Sequence, residues 1–139
     1  MLNISQEKIK YKETDCDSLQ FSILASGSSG NCTYIESDHQ RLLVDAGLSG
    51  KKVEALLKQI GRNLADIDAI LVTHEHKDHI HGVGVLSRKY NLPIYANART
   101  WSLMDQMIGK IDPDNRRLFE AEQMLTLGDL DVFSYEVSN

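Results

Sequence analysis

The chain has 139 residues, enough for one domain or a large part of one with its own buried core. Its composition is that of an ordinary globular protein, with 42% hydrophobic and 25% charged residues and only 2 prolines. A net charge of -5 excludes coating of nucleic acid by bulk charge, though not a local basic groove. The opening MLNISQEKIKYKETD is polar, without a secretory apolar core. No stretch approaches the roughly 20 apolar residues of a membrane span. Cys16 and Cys32 therefore read as reduced thiols of a cytoplasmic protein, and neither lies in a C-x-x-C pair that would suggest zinc.

Residues 1–18 carry no period and read as a flexible leader, leaving 19–139 as the folded part. Leu19 to Ala25 alternates as a strand, Gly27 to Asn31 breaks it, CTYIES is a second strand, and SDHQ is a turn. RLLVDAG is a third strand ending in Asp45, so two antiparallel hairpins in a row are expected. Val53, Leu56, Leu57 and Ile60 then recur with helical spacing and predict a helix from about Ser49 to Ile60, with Gly61 as its C-cap. IDAILVT is a short apolar strand. A helix from about Ile80 to Tyr90 follows, with Val83, Leu86 and Tyr90 on one side, and LPIYAN is a further strand. Asn97 can cap a helix over Ala98 to Ile108 whose apolar face is Trp101, Met104 and Ile108. After the turn IDPDN the rest is β-rich, with a bend at Gly128 and Asp129. The order predicts an α/β fold with helices covering sheet faces. The last strand runs to the final residue without a polar tail, which suggests part of a larger domain.

The chemistry concentrates in VTHEHKDHIHG, where four of the five histidines fall in eleven residues behind an apolar strand. His74, His76, Asp78 and His79 are all ligand types for transition metals. Residues two apart share a side in extended backbone, so His74, His76 and Asp78 are expected to converge, while His79 starts the next helix and leans elsewhere. One loop can thus offer two histidines to one ion and an Asp-His pair to another. The spacing is not the helical H-E-x-x-H pattern. Glu75 and Lys77 are expected on the opposite, solvent side. His81 reads as an exposed helix histidine, with a ligand or substrate contact as the alternative, and His39 as a surface turn residue.

THEHKDHIHG resembles the H-x-H-x-D-H signature of the metallo-β-lactamase fold, and LLVDAG resembles that superfamily's first motif. SILASGSSGNCTYIES, RLLVDAGLSGKKVEALL, AILVTHEHKDHIHGVGVLSRKYNLPIYAN and the TW at 100–101 are similar to the YycJ/WalJ (VicX) group of cytoplasmic bacterial proteins. The resemblance covers nearly the whole chain from about residue 19. It implies part of a four-layer αβ/βα sandwich with two divalent metal ions, zinc or manganese, where the sheets meet. It implies His74 and His76 on the first ion, Asp78 and His79 on the second, and Asp45 orienting the ligand loop. A water between the ions would be the nucleophile, with Asp78 helping to orient it.

The group is associated with 5′-to-3′ exonuclease action, so a DNA substrate and phosphodiester hydrolysis are expected, with no membrane partner. A thioester or lactone hydrolase of the same fold, or a truncated non-catalytic chain, are the alternatives. SGSSGN could place backbone N–H groups near a phosphate, or be a plain hairpin turn. Lys51, Lys52, Arg88, Lys89, Arg116 and Arg117 could contact a nucleic-acid backbone or be solvated charges. The chain departs from the pattern at EVSN, where Asn139 stands in place of the histidine of the third motif. The later aspartate and histidine ligands and the second half of the sandwich are absent, so the first sheet's buried face is expected to be open unless a partner or second copy covers it.

Overall fold

The computed structural model describes residues 2–3, 9–13 and 19–135, the first two stretches by their backbone alone. Two short strands come first, β1 (Leu2–Asn3) and β2 (Ile9–Glu13). β3 (Gln20–Ala25), β4 (Cys32–Glu36) and β5 (Arg41–Val44) then form the two expected antiparallel hairpins. From β5 onward the pairing turns parallel, through β6 (Ala69–Leu71), β7 (Ile94–Ala96) and β8 (Arg116–Leu118). Parallel neighbours need a crossover, and helices supply each one. These are α1 (Gly50–Gln59), then α2 (Lys77–Ile80) with α3 (Val83–Tyr90), then α4 (Ala98–Ile108). β9 (Met124–Leu127) and β10 (Leu130–Ser134) close the chain as a hairpin about Gly128. Among the described residues no helix is long and apolar enough to cross a membrane.

The strands make two sheets, one ordered β3-β4-β5-β6-β7-β8 and one ordered β1-β2-β10-β9. Successive residues of β5 face opposite ways and so divide between two cores. Leu43, Ile70 and Ile94 pack toward the helices, against Val53, Leu57, Val83, Leu86, Trp101 and Met104. Leu42, Val44, Leu71 and Tyr95 pack the other way, against Leu130 and Val132 of β10. β6 and β7 are buried at every position, which is why their sequences are apolar without alternation. The result is three layers in the order helices, mixed sheet, antiparallel sheet.

Most predicted helix boundaries hold. Ser49 caps α1, its Oγ accepting from Lys52 N at 3.2 Å. Asn97 caps α4, its Oδ1 accepting from Thr100 N at 2.7 Å. The helix expected from Ile80 is instead two pieces. The first begins at Lys77, and the break falls at Gly82, whose N–H donates to Ala46 O at 2.8 Å. A Cβ at Gly82 would stand 2.3 Å from Leu48 O, so only glycine lets the two backbones meet there.

Two expectations are corrected. Within the supposed leader, Ile9–Glu13 is a strand paired with β10, from Leu130 opposite Glu13 to Ser134 opposite Ile9. Its sequence IKYKE does alternate, with Ile9 and Tyr11 between lysines, a short strand pattern inside the polar opening. The second sheet also covers much of the first sheet's inner face. On that face Phe21 and Ile23 of β3 remain 48% and 57% exposed. Cys16 and Asn139 lie outside the described residues.

Candidate metal centre

Asp45 follows β5 directly and is fully buried. Its φ of 63° is left-handed, a conformation aspartate tolerates better than most residues. That turn ends the strand one residue earlier than predicted and aims the carboxylate across the end of β6. Oδ1 accepts from Thr73 N at 2.8 Å, and Oδ2 accepts from Thr73 Oγ1 at 2.6 Å. Oδ2 also lies 2.7 Å from His79 Nδ1. A carboxylate only accepts, so His79 carries its proton on Nδ1. Thr73 has given its hydroxyl hydrogen to Asp45, so its oxygen accepts from His74 Nδ1, 2.9 Å away. One buried carboxylate thereby fixes the tautomer of two imidazoles, and both present Nε2 as the nitrogen with the lone pair. The two rings lie 4.7 Å apart, tilted by 48°.

Asp78 is positioned from the other side. Asn31 N donates to Asp78 O at 2.7 Å, and Asn31 Nδ2 reaches Asp78 O at 3.1 Å and Oδ2 at 3.2 Å. Asn31 O in turn accepts from Gly47 N at 2.9 Å, and His79 O accepts from Ala46 N at 3.0 Å. A Cβ on Gly47 would stand 1.8 Å from Asp78 O. The metal-motif loop is therefore clamped between the 27–31 turn and the stretch after β5. Asp78 Oδ2 lies 3.9 Å from His79 Nε2.

The extended alternation expected of the ligands ends at His76. His76 is the extended N-cap of α2, and Asp78 and His79 sit within that helical turn, closed by His79 N donating to His76 O at 2.8 Å. The His76 ring is 71% exposed and its centroid is 6.1 Å from that of His74. Glu75, expected to face solvent, is the less exposed of the pair at 25%, with Oε1 3.9 Å from His76 Nε2. Lys77, His81 and His39 are exposed, as the sequence suggested. The structure thus brings His74, His79 and Asp78 near one another and leaves His76 outward. Among the described residues no group of three or more His, Cys, Asp or Glu side chains is drawn together enough to hold an ion. The donor chemistry nonetheless fits a cation, with two oriented imidazoles beside a carboxylate. Cys32 lies buried beneath, and burial, then the Asp45 charge, pushes its thiol well above the usual range.

Of the suggested basic contacts, four are engaged within the chain. Arg88 donates to Ile108 O and Lys110 O, and Lys89 lies 3.8 Å from Glu54. Arg116 forms a two-pronged pair with Asp105 over the Trp101 ring, and Arg117 donates to Asp114 O. Lys51 and Lys52 stand exposed on α1. Sequence reasoning missed Thr73, Asn31 and Gly47. A hydroxyl directly before His74 was the one local sign for Thr73. Nothing local marks Asn31, whose partner is 47 residues away.

A model of the metallo-beta-lactamase superfamily matches residues 25–109. The exodeoxyribonuclease YycJ of Bacillus anthracis is 54% identical over 121 residues, which are 87% of this chain and 46% of that protein. The exodeoxyribonuclease WalJ of Streptococcus pneumoniae (strain D39) is 54% identical over 122 residues, 86% of this chain and 45% of that one. Among solved structures, a β-lactamase from Chitinophaga pinensis superposes with a TM-score of 0.65 at 18% identity, covering 94% of this chain and 54% of its own. The chain spans about half the length of the curated relatives it matches.

Proposed function

Since the chain belongs to the metallo-beta-lactamase superfamily, we propose that it carries the first ligand motif of a metal-dependent hydrolase acting on DNA. In this reading His74 and His76 hold one divalent ion and Asp78 and His79 a second, zinc or manganese, with further ligands from outside the described residues. The observation that supports it best is the buried Asp45 carboxylate orienting His79 directly and His74 through Thr73. Such outer support is what ligating histidines need to keep the correct tautomer. Divalent ions bound there would supply Lewis acidity toward a phosphodiester and lower the pKa of water to about 7.

The chain's own residues do the rest. Asp45 holds two imidazoles in register, Asn31 fixes the Asp78 carboxylate, and Asp78 would help to orient the attacking water. The DNA substrate is supported by the likeness to the YycJ and WalJ exodeoxyribonucleases, and the 5′-to-3′ direction and a cytoplasmic location are proposed with it. The free, buried Cys32 thiol agrees with a reducing compartment. The chain, with the β2 strand paired to β10 included, then forms the N-terminal part of the catalytic domain.

The test is incubation of the complete protein and manganese with end-labelled double-stranded DNA. Release of nucleotides from the 5′ end, lost on chelation and in His76→Ala, supports the reading. No release, or release identical in His76→Ala, refutes it.

A further inference from the structure

A cleft of about 380 Å³ opens beside Asp78, lined by Ser28, Ser29, Gly47, Lys77, Asp78 and His81. Ser28, Ser29, Lys77 and His81 are exposed, and among the described residues their side chains make no hydrogen bond or ion pair within the chain. Two hydroxyls, an ammonium and an imidazole thus face one hollow with their donors uncommitted.

The wall that carries the hydroxyls is held in shape. Gly27 and Gly30 take φ of 122° and 149°, and a Cβ on Gly30 would fall 2.3 Å from the Leu48 side chain. Asn31 closes the turn from inside, its Oδ1 accepting from Gly27 N at 3.1 Å and its Nδ2 donating to Gly27 O at 2.9 Å. The same Nδ2 reaches Asp78 Oδ2, so the serine turn and the proposed metal ligand share one bracket. Among the described residues, Asp78 is the only anionic one lining the cleft.

We propose that this cleft is a phosphate subsite, in which the Ser28 and Ser29 hydroxyls and the Lys77 ammonium bind a substrate phosphate next to the one being cleaved. Hydroxyls carried on a turn whose backbone is already held suit a phosphate's acceptor oxygens, and the ammonium adds a point charge. The proposal rests on the phosphodiesterase reading and names the group that its substrate presents here. That phosphate has two sources, a terminal 5′-phosphate or an internal phosphodiester.

The test uses the complete protein and has two parts. Inorganic phosphate is titrated into wild type, Lys77→Gln and Ser28→Ala/Ser29→Ala, followed by the backbone amide signals of residues 28, 29 and 47. Each variant is expected to bind phosphate about tenfold more weakly. In parallel, KM and kcat are measured on duplexes ending in a 5′-phosphate or a 5′-hydroxyl. A raised KM confined to the phosphorylated end identifies the terminal phosphate, and an equal rise on both identifies the internal one. Unchanged phosphate affinity together with unchanged KM on both duplexes overturns the subsite. The titration needs no hydrolysis. Phosphate binding that depends on Lys77 in a protein inert toward DNA would therefore remove the nuclease reading while leaving a phosphate site in this cleft.

Discussion

Replacing Asp45 by asparagine probes the site through two proton positions while leaving its shape nearly intact. Asp45 accepts from Thr73 N, Thr73 Oγ1 and His79 Nδ1, all within 2.6 to 2.8 Å and out of reach of solvent. Alanine would leave the Thr73 amide and the His79 Nδ1–H buried without an acceptor, at about 1–3 kcal/mol each. It would add about 1–2 kcal/mol for a left-handed residue with no polar side chain. That total approaches the whole stability of a small domain, so the alanine variant cannot separate folding from ligation. Asparagine also tolerates φ of 63°, and its Oδ1 can keep the Thr73 amide. Its NH₂, however, donates where the carboxylate accepted. His79 Nδ1 must then become the acceptor and Nε2 must carry the proton. The Thr73 hydroxyl, now receiving from the amide, turns its hydrogen to His74 Nδ1 and forces the same switch there. We expect Asp45→Asn to lose about 1–3 kcal/mol of stability and to bind zinc about 10–100-fold more weakly. Two-bond nitrogen–proton couplings of the imidazoles report the tautomers, and competition with a chromophoric chelator reports the affinity. Unchanged tautomers, or unchanged zinc affinity in a folded Asp45→Asn protein, would refute the reasoning.

Gly47→Ala places a methyl 1.8 Å from the Asp78 carbonyl oxygen. It should lower stability by about 1–3 kcal/mol and weaken metal binding together, read by denaturant unfolding and the same chelator competition. Leu130→Ala empties a fully buried position of the inter-sheet core and should cost about 2–5 kcal/mol in the same unfolding assay, with zinc affinity per folded molecule unchanged. Glu36 is held down to about 2 by the Arg62 guanidinium first, then by Tyr34 and Arg41. Its folded pKa lies below the ordinary 4.5, so its contribution is complete above pH 4.5 and disappears as pH falls toward 2. Urea midpoints of wild type should fall across that window, and Arg62→Ala should flatten the fall.

Elements that bury their own face were legible. The Val53, Leu57 stripe of α1 and the Trp101, Met104, Ile108 stripe of α4 are set by local spacing, and both helices lie where that spacing puts them. The all-apolar β6 and β7 were legible for the same reason. Pairing across long separations was not. Nothing in IKYKE announces a partner at Leu130–Ser134, and without that pairing the second sheet was invisible. The ligand types at 74, 76, 78 and 79 were plain, but their geometry was not. Extended alternation gave way to a helical turn at Lys77 because Asn31 and Ala46 take up backbone groups of Asp78 and His79. Those partners come from loops more than 30 residues upstream, which no local pattern encodes.

The account is tested most directly by counting ions on the complete protein after exhaustive dialysis from zinc or manganese. It predicts retained metal in the wild type, a clear loss in His79→Ala and in His74→Ala, and full retention in Cys32→Ala. Metal-free wild-type protein, or retention that ignores both histidines, would contradict it.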